Sequence, residues 1–313
     1  MTATNIADDP VHHPAGTADL AVLAEIRRES APFKGALSVP DGRAGYDEMF
    51  EAIRPAAGIG HERWSGDGLT GVWCRVQPAR TDAVLLYLHG GGYGLGSAWA
   101  YRHFAGQFAG RTGVDAFALD YPLAPEHPFP AALDAAKSAY AMLAASGYGK
   151  IAIVGDSAGG GLALSLLAAV AAAQGGGAPR PACAVVMSPW TDLTLAGASL
   201  DARADDEFYL DRPGLEAFAA SYLAGHDPKD PDASPQHGAL VGLPPLQIHV
   251  GTAEILLSDS EDYAAKARSA GAPVALHVWE AMPHVFPSSF DLLEGAEAAM
   301  EVMAAFLRAE LAR

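Results

Sequence analysis

The 313 residues of this chain are enough for two domains or for one large α/β domain. Half of the residues are hydrophobic and only 18% are charged, which excludes a collagenous, fibrous or largely disordered chain. Asp and Glu outnumber Lys and Arg by 37 to 20, and the resulting net charge of −17 repels phosphate backbones and anionic lipid headgroups. The composition therefore predicts a globular protein that does not bind nucleic acid.

The cysteines and the apolar stretches predict the cellular compartment of the protein. Cys74 and Cys183 are too few and too far apart for a disulfide framework or a zinc site, and two lone thiols favour a reducing compartment. Residues 1–16 lack the basic and apolar regions of a signal peptide. The longest apolar stretch, 162–173, falls short of the roughly 18 residues that a bilayer-spanning helix needs. We expect a cytoplasmic protein without a membrane span.

Secondary-structure patterns along the chain predict the fold class. Two helical patterns open the chain, over 19–29 and 45–53, and from residue 64 onward β-rich runs alternate with longer helical patterns. The β-rich runs are VWCRV, AVLLYLHG, VDAFALDY, KIAIVGD, ACAVVMS, LQIHVG and VALHVWE. The helical patterns cover 101–112, 131–145, the segment after 159, 258–270 and 292–312. This order predicts an α/β fold with a mostly parallel sheet and helices on both faces.

Residues 191–245 interrupt this alternation. They contain no strong strand pattern, only a helical patch near 213–223 and the polar stretch HDPKDPDASPQHG. We interpret this segment as an insertion over the edge of the sheet where α/β proteins bind their ligands.

The sequence GDSAG at 155–159 follows the strand pattern IAIV and precedes an apolar helical pattern. In that context GxSxG predicts a nucleophile elbow, a sharp strand-to-helix turn that needs small residues beside the serine. The turn exposes the hydroxyl at a helix N-terminus, where the helix dipole favours developing negative charge. Ser157 is thus a predicted nucleophile, whereas a bare GxSxG match is also compatible with a plain glycine-rich turn.

A second glycine-rich motif, HGGG at 89–92, follows the strand pattern AVLLYL. Successive glycines let backbone N–H groups face a ligand without obstruction by Cβ atoms, which is the requirement of an oxyanion hole. A flexible loop or a phosphate cradle is the alternative, but no GK[ST] follows and no dinucleotide fingerprint is completed. We therefore interpret the motif as an oxyanion loop.

These two motifs resemble the α/β-hydrolase superfamily, and further strings narrow the resemblance to the hormone-sensitive-lipase-like (family IV) carboxylesterases. The strings similar to this family's signatures are HGGGY at 89–93, YPLAPEHPFPAALD at 121–134, GDSAGG at 155–160, SPWTDL at 188–193, DPKDPDASP at 227–235, LPPLQIHVG at 243–251 and MPHVF at 282–286. The resemblance implies an α/β-hydrolase fold with a mostly parallel eight-stranded sheet. It also implies oxyanion donors at the backbone amides of Gly91, Gly92 and Ala158.

The resemblance also implies a division of the chain into a catalytic domain and a helical cap. Residues 61–190 and 226–313 would form the catalytic domain, with a cap insertion at 191–225. The helices within 1–60 are similar to the family's N-terminal cap in placement only. Together the two cap pieces would roof the acyl pocket.

Three aromatic residues near the motifs are candidates for lining that pocket. Tyr93, Trp190 and Phe286 would each present an apolar ring there, with packing in the core as the alternative for each.

The general base is expected to be a late histidine, because α/β-hydrolases order their triad as Ser, acid and His. Of the eleven histidines, His284 follows the last strand pattern and matches the family's catalytic position. His249 and His277 lie within strand patterns and are predicted to be packed or solvent-facing. Five others lie in polar loops and are predicted to be exposed: His12, His13, His61, His226 and His237. His284 is therefore the predicted base.

The position of the acid differs from the family pattern, which has Asp-Pro-Leu where this chain has Glu254-Ile255-Leu256. The spacings from Ser157 and to His284 nevertheless resemble the family's. A glutamate can accept from the imidazole Nδ1–H and stabilise the imidazolium as an aspartate would. Asp259 is the alternative, followed by Asp262, but Asp259 is also expected to begin a helix as a solvated first-turn carboxylate.

The resemblance implies acyl transfer through an acyl-enzyme, without a metal or an organic cofactor. We expect a carboxylesterase that acts on small, uncharged, short-chain esters, and the family implies a homodimer. Lactone hydrolysis and deacetylation with the same triad are alternatives. A non-enzymatic receptor on the same fold is a third alternative, although such proteins have lost a triad member.

Overall fold

The computed structural model describes residues 9–173 and 179–313. Residues 1–8 of the predicted N-terminal cap and 174–178 of the predicted catalytic domain lie outside the described residues. In the described part of the chain, a nine-stranded sheet is packed between helices, which is the α/β architecture that the sequence predicts.

The secondary-structure elements follow one another in the predicted alternating order. The strands are β1 (Val11–His13), β2 (Gly60–Gly66), β3 (Leu69–Arg75), β4 (Ala83–Leu88), β5 (Ala116–Leu119), β6 (Lys150–Asp156), β7 (Cys183–Met187), β8 (Leu246–Gly251) and β9 (Val274–Trp279). The helices are α1 (Thr17–Ser30), α2 (Arg43–Glu51), α3 (Arg102–Thr112), α4 (Ala131–Ala145), α5 (Ser157–Ala172), α6 (Ser199–Ala202), α7 (Arg212–Leu223), α8 (Leu257–Ser269) and α9 (Glu294–Ala312). Short 3₁₀ segments cover Ala31–Phe33, Pro235–His237 and Phe286–Ser289.

The strands are ordered β1-β9-β8-β7-β6-β4-β5-β3-β2 across the sheet. β3 is antiparallel to both β2 and β5, and the other pairs are parallel. β4, β7 and β8 are buried along their whole length. A parallel strand covered by helices on both faces is apolar at nearly every position, which explains why continuous hydrophobic runs predicted these strands.

The prediction of eight strands is wrong, because the described sheet has nine. The additional edge strand β1 pairs in parallel with β9, and the His13 ring stacks on Trp279 at a centroid distance of 3.7 Å. β1 has only three residues and two of them are histidines, so neither a hydrophobic run nor a clear alternation marks it. His13 therefore belongs to the sheet edge instead of an exposed loop.

The observed helix boundaries lie close to the predicted ones. The helix predicted at 131–145 has those bounds in α4, and α1 (Thr17–Ser30) extends its predicted 19–29 by two residues at the start and one at the end. Asp211 caps α7 by accepting a hydrogen bond from Gly214 N at 2.8 Å. None of the described helices has the length and hydropathy needed to cross a membrane.

Polar anchors fix the two N-terminal helices to the rest of the molecule. The buried carboxylate of Asp19 in α1 accepts from the amides of Glu294 and Gly295 at 2.8 and 2.9 Å, where it caps α9. At the start of α2, Arg43 forms an ion pair with Glu126 at 2.6 Å and donates to the carbonyl of Gly94 at 2.9 Å. These contacts hold α1 against the start of α9, and they hold α2 beside the loop that carries the HGGG motif.

Candidate active site

Ser157 lies at the junction between β6 and α5. Its backbone has a φ of 52°, in the left-handed region that is costly for a residue with a side chain. A Cβ atom on Gly155 would overlap the carbonyl oxygen of Gly159, and one on Gly159 would overlap the carbonyl oxygen of His89. The tight approach of these backbone segments explains why the turn has glycine on both sides of the serine.

Three side chains from separate loops form a continuous hydrogen-bond relay. Ser157 Oγ lies 2.9 Å from His284 Nε2, and His284 Nδ1 lies 2.9 Å from Glu254 Oε2. The Glu254 carboxylate is fully buried, whereas Ser157 is 8% exposed and lies in the wall of a cavity. With an ionised Glu254, the imidazole donates from Nδ1 and accepts the hydroxyl proton at Nε2.

The other oxygen of Glu254 is also held in place. Oε1 accepts from Ser188 Oγ at 2.9 Å and from Gly251 N at 2.6 Å. Ser188 Oγ accepts in turn from Val285 N at 3.0 Å, next to His284. Ser188 thus connects the loop of the acid to the loop of the histidine. The sequence alone predicts no role for Ser188, although it is the first residue of the SPWTDL string.

The rival acid, Asp259, occupies a different place. Its side chain is 3% exposed, so the expectation of a solvated first-turn carboxylate is wrong. Asp259 Oδ1 accepts from Thr191 N at 2.8 Å and Asp192 N at 3.0 Å, and burial raises its pKa to about 7. Asp262 lies exposed on α8. Of these three acids, Glu254 is the one hydrogen-bonded to His284 among the described residues.

The residues expected to supply oxyanion donors flank Ser157. Gly91 and Gly92 line the same cavity as Ser157 and have φ values of +109° and +59°, which only glycine adopts without strain. A Cβ on Gly92 would also lie 2.6 Å from the ring of Phe218 in α7. Ala158 is the second residue of α5, so its amide is among the N–H groups without a partner inside the helix.

The HGGG loop is held in place through His89. Its Nδ1 donates to Gly90 O at 2.8 Å, and its ring stacks on Tyr121 with centroids 4.2 Å apart. The Tyr121 hydroxyl donates to the carbonyl of His89 at 2.7 Å. Burial lowers the pKa of His89 to about 4, so the imidazole is neutral near pH 7. These contacts fix the orientation of His89 and of the loop that follows it.

A cavity of about 340 Å³ opens onto Ser157 and His284. Its other lining residues are mostly apolar: Ile26, Leu37, Tyr46, Met49, Phe50, Ile53, Gly91, Gly92, Leu95, Trp190, Tyr209, Leu210, Leu215, Phe218, Pro283, Val285, Phe286, Ser288, Ser289 and Leu292. Both segments predicted as cap, 1–60 and 191–225, contribute to this wall. Among the described residues, no Asp, Glu, Lys or Arg lines the cavity.

The three aromatic pocket candidates separate into two groups. Trp190 and Phe286 line the cavity. Tyr93 is absent from the described lining, because its ring stacks on Tyr222 with centroids 3.8 Å apart and is 1% exposed. In this structure Tyr93 packs in the core.

The residue that precedes the serine joins the site to the predicted cap. Asp156 accepts from the hydroxyls of Tyr87 at 2.8 Å and Tyr101 at 3.2 Å, and Tyr101 is 2.7 Å from the hydroxyl of Tyr46 in α2. Burial raises the pKa of Asp156 to about 6. The sequence does not predict this tyrosine network, because the three rings belong to segments far apart in the chain.

Neighbouring charges and burial set the pKa of His284. Burial alone would lower the pKa of His284, but the hydrogen bond and charge of Glu254 act in the opposite direction. The charges of Glu207 and Asp156 act in the same direction, so the pKa lies above its ordinary value. The site therefore favours the imidazolium that forms when His284 takes a proton from Ser157.

Comparison with known proteins identifies the family of this chain. The model of a protein family described as alpha/beta hydrolase fold matches residues 85–288. An acetyl-hydrolase of Streptomyces hygroscopicus is 46% identical over 236 residues, covering 74% of this chain and 78% of that protein. An esterase of Acinetobacter venetianus is 36% identical over 218 residues, covering 69% of this chain and 71% of that protein.

Solved structures show the same relationship across almost the whole chain. The crystal structure of EstE5 superposes with a TM-score of 0.87 at 37% identity, covering 96% of this chain and all of that chain (100%). An esterase from the bacterial hormone-sensitive lipase family gives a TM-score of 0.86 at 36% identity, covering 95% and 99%. The chain belongs to the alpha/beta hydrolase fold family and, within it, to the hormone-sensitive-lipase-like group that the sequence strings resemble.

Proposed function

We propose that this protein is a carboxylesterase in which Ser157, His284 and Glu254 transfer the acyl group of a short-chain ester to water. The hydrogen-bond relay between these three side chains is the observation that carries the proposal. The enzyme class, a carboxylic ester hydrolase, is confirmed by relatives and solved structures that are named esterases. The roles of the residues and the substrate range are our assignment.

Acylation begins with removal of the Ser157 proton. His284 Nε2, 2.9 Å from Oγ, takes the proton while Oγ attacks the ester carbonyl carbon. The backbone amides of Gly91, Gly92 and Ala158 stabilise the negative charge that develops on the carbonyl oxygen. His284 then gives the proton to the leaving alkoxide, so that an alcohol departs and an acyl-Ser157 ester remains.

Deacylation repeats these steps with water as the nucleophile. His284 takes a proton from water, hydroxide adds to the acyl carbon, and collapse of the intermediate returns the proton to Ser157 Oγ. Glu254 acts in both halves, because its hydrogen bond keeps the proton on Nδ1 and its charge stabilises the imidazolium. The cycle consumes one ester and one water and releases one alcohol and one acid.

The cavity supports uncharged substrates with a short acyl group. A charged group would lose its hydration against apolar walls that offer no described partner of opposite sign. The walls come partly from the segments predicted as cap, which limits the length of chain that the cavity can enclose. The acetyl-hydrolase of Streptomyces hygroscopicus, by its name, supports acetyl groups as part of that range.

A series of p-nitrophenyl esters from acetyl to hexadecanoyl tests this proposal. We expect kcat/KM to be highest between acetyl and hexanoyl and to fall for longer chains, with Ser157→Ala prepared in parallel as the control for spontaneous hydrolysis. Equal or better turnover of hexadecanoyl esters or triglyceride emulsions would contradict the short-chain assignment. Lactones and N-acetyl amines in the same panel test the two alternative activities, each of which predicts a preference for its own substrate.

Three further assignments complete the proposal. A cytoplasmic location fits Cys74 and Cys183, which are free and buried thiols. The net charge of −17 argues against a nucleic-acid partner. A homodimer follows from the family resemblance.

The receptor alternative requires loss of a relay residue, whereas the serine, the histidine and an acid are present here.

A further inference from the structure

A second buried carboxylate lies beside the relay. Glu207, in the connection between α6 and α7, is 2% exposed. Its Oε1 accepts from the amides of Phe208, Tyr209 and Leu210 at 2.9, 2.9 and 3.3 Å. Its Oε2 accepts from the amide of Ile255 at 2.9 Å. One carboxylate therefore binds two segments that are distant in sequence.

These hydrogen bonds join the predicted cap insertion to the loop of the acid. Ile255 directly follows Glu254, while Tyr209 and Leu210 line the cavity. In the described part of the chain, no ion pair to a basic side chain neutralises Glu207, and Lys34 reaches only its main-chain oxygen at 2.9 Å. A buried carboxylate is costly unless donors satisfy it, so this arrangement is maintained by the four amides.

The charge of Glu207 also acts on the relay. The acidic groups that raise the pKa of His284 are Glu254, Glu207 and Asp156, against the opposing effect of burial. During the reaction His284 changes from neutral to positive when it takes the proton of Ser157. A fixed negative charge nearby stabilises that state without having to reorganise.

We propose that Glu207 is a positioning residue for ester hydrolysis: its Oε2 holds the Glu254 loop through the amide of Ile255. This inference rests on the proposed function. It assigns a role to a residue of the segment 191–225 that contacts neither Ser157 nor His284 directly. The prediction is a loss in kcat and a shift of the pH profile, with substrate binding little changed.

Glu207→Gln separates these effects from a general loss of packing. The Gln Oε1 can still accept from the amides of 208–210, which preserves the cavity wall. Its NH₂ group then faces the Ile255 N–H, and because both groups are donors, this hydrogen bond is lost. The negative charge is lost as well. We expect kcat to fall about tenfold or more, because small displacements of reacting groups are costly, while KM changes less than about threefold. Because the charge of Glu207 raises the pKa of His284, the acid limb of the kcat/KM profile should move to lower pH in this variant.

Asp205→Asn is the matched control, because it removes the same charge from an exposed residue two positions away. It should leave kcat and the acid limb as in the wild type. Glu207→Asp keeps the charge but shortens the side chain, so it should keep the wild-type acid limb with a reduced kcat. If Glu207→Gln does not fold, the kcat of Glu207→Asp tests the positioning role by itself.

The outcomes distinguish this inference from the proposed function. If the wild-type protein hydrolyses esters but Glu207→Gln matches Asp205→Asn in kcat and acid limb, the inference is overturned and the esterase assignment stands. A wild-type kcat in Glu207→Asp would likewise overturn the positioning role. If the wild-type protein hydrolyses no ester, the proposed function itself fails.

Discussion

The carboxylate of Glu254 is buried and hydrogen-bonded at both oxygens, although the family pattern has aspartate at this position. Its two oxygens bind His284 on one side and Ser188 with Gly251 on the other. The longer side chain is therefore fixed at both oxygens, and its carboxylate reaches the imidazole at 2.9 Å. Asp259 is equally buried but satisfies the amides of 191 and 192 instead.

These two environments predict opposite results for two similar substitutions. Glu254→Gln leaves the wrong imidazole tautomer available and removes the charge beside the imidazolium, which costs about 10⁴ in kcat in a serine hydrolase. Asp259→Asn keeps an oxygen that can accept from both amides, so kcat should stay within about tenfold of the wild type. Steady-state kinetics on a short-chain ester, together with thermal melts, measures both effects.

Glu254→Asp completes this comparison. Withdrawing the carboxylate by one methylene lengthens its contact to His284, and a displacement of about 1 Å can cost about 10² in rate. We therefore expect partial activity, between those of the wild type and Glu254→Gln. An inactive Asp259→Asn alongside a fully active Glu254→Gln would mean that the acid has been assigned to the wrong residue.

At the scale of single residues, what the sequence could predict depended on local context. Ser157 and His284 stand in short strings whose flanking residues indicate their place in the fold. Burial of Asp259 could not be predicted, because a carboxylate in the first turn of a helix is usually solvated. Glu207 follows Asp205 and Asp206 in an acidic run, and nothing local distinguishes the buried member from its neighbours.

Among the secondary-structure elements, the least expected feature is a directed series of hydrogen bonds that links histidines of the neighbouring strands β8, β9 and β1. Trp279 Nε1 donates to His249 Nδ1 at 3.2 Å, so His249 donates from Nε2 to Gln247 Oε1 at 3.0 Å. Gln247 Nε2 then donates to His277 Nε2 at 3.1 Å, and His277 Nδ1 donates to His13 Nε2 at 2.9 Å. This pattern requires each imidazole to be neutral.

The histidine series predicts a loss of stability in acid. Burial lowers the pKa of His277 from 6.5 to about 4, so the folded state favours the neutral ring. The neutral His277 ring therefore stabilises the folded state above about pH 6.5, and this stabilisation is lost as the pH falls toward about 4. His277→Gln removes this group, so the difference in Tm between wild type and variant should shrink between about pH 7.5 and pH 4.5.

His127→Gln is the control, because it changes an exposed histidine of a loop. Its Tm should differ from that of the wild type by a nearly constant amount over the same range. A constant difference for His277→Gln as well would contradict the neutral histidine series.

Elements with strong apolar patterns were predictable, and those without were not. α4 has its predicted bounds because its buried face is apolar over the whole helix. β1 and β2 lie at opposite edges of the sheet, where polar residues and glycine weaken the pattern. Edge strands bury less apolar surface, and the sequence therefore carries less information about them.

At the scale of the whole molecule, an acidic exterior surrounds an uncharged site. The net charge of −17 contrasts with a cavity that no described Asp, Glu, Lys or Arg lines. The wall combines residues that follow the carboxyl ends of β4, β6 and β9 with residues of α1, α2 and α7. The motif strings predicted the first group, whereas the contribution of each helix depends on packing between segments distant in sequence.

Covalent labelling of Ser157 tests the central claim most directly. A p-nitrophenyl phosphonate ester should abolish esterase activity and add the mass of one phosphonyl group to the peptide that contains Ser157. Neither Ser157→Ala nor heat-denatured protein should be labelled, and folded Ser157→Ala should lose several orders of magnitude in kcat. A label on another residue with Ser157 unmodified, or more than about a tenth of wild-type activity in folded Ser157→Ala, would contradict the assignment.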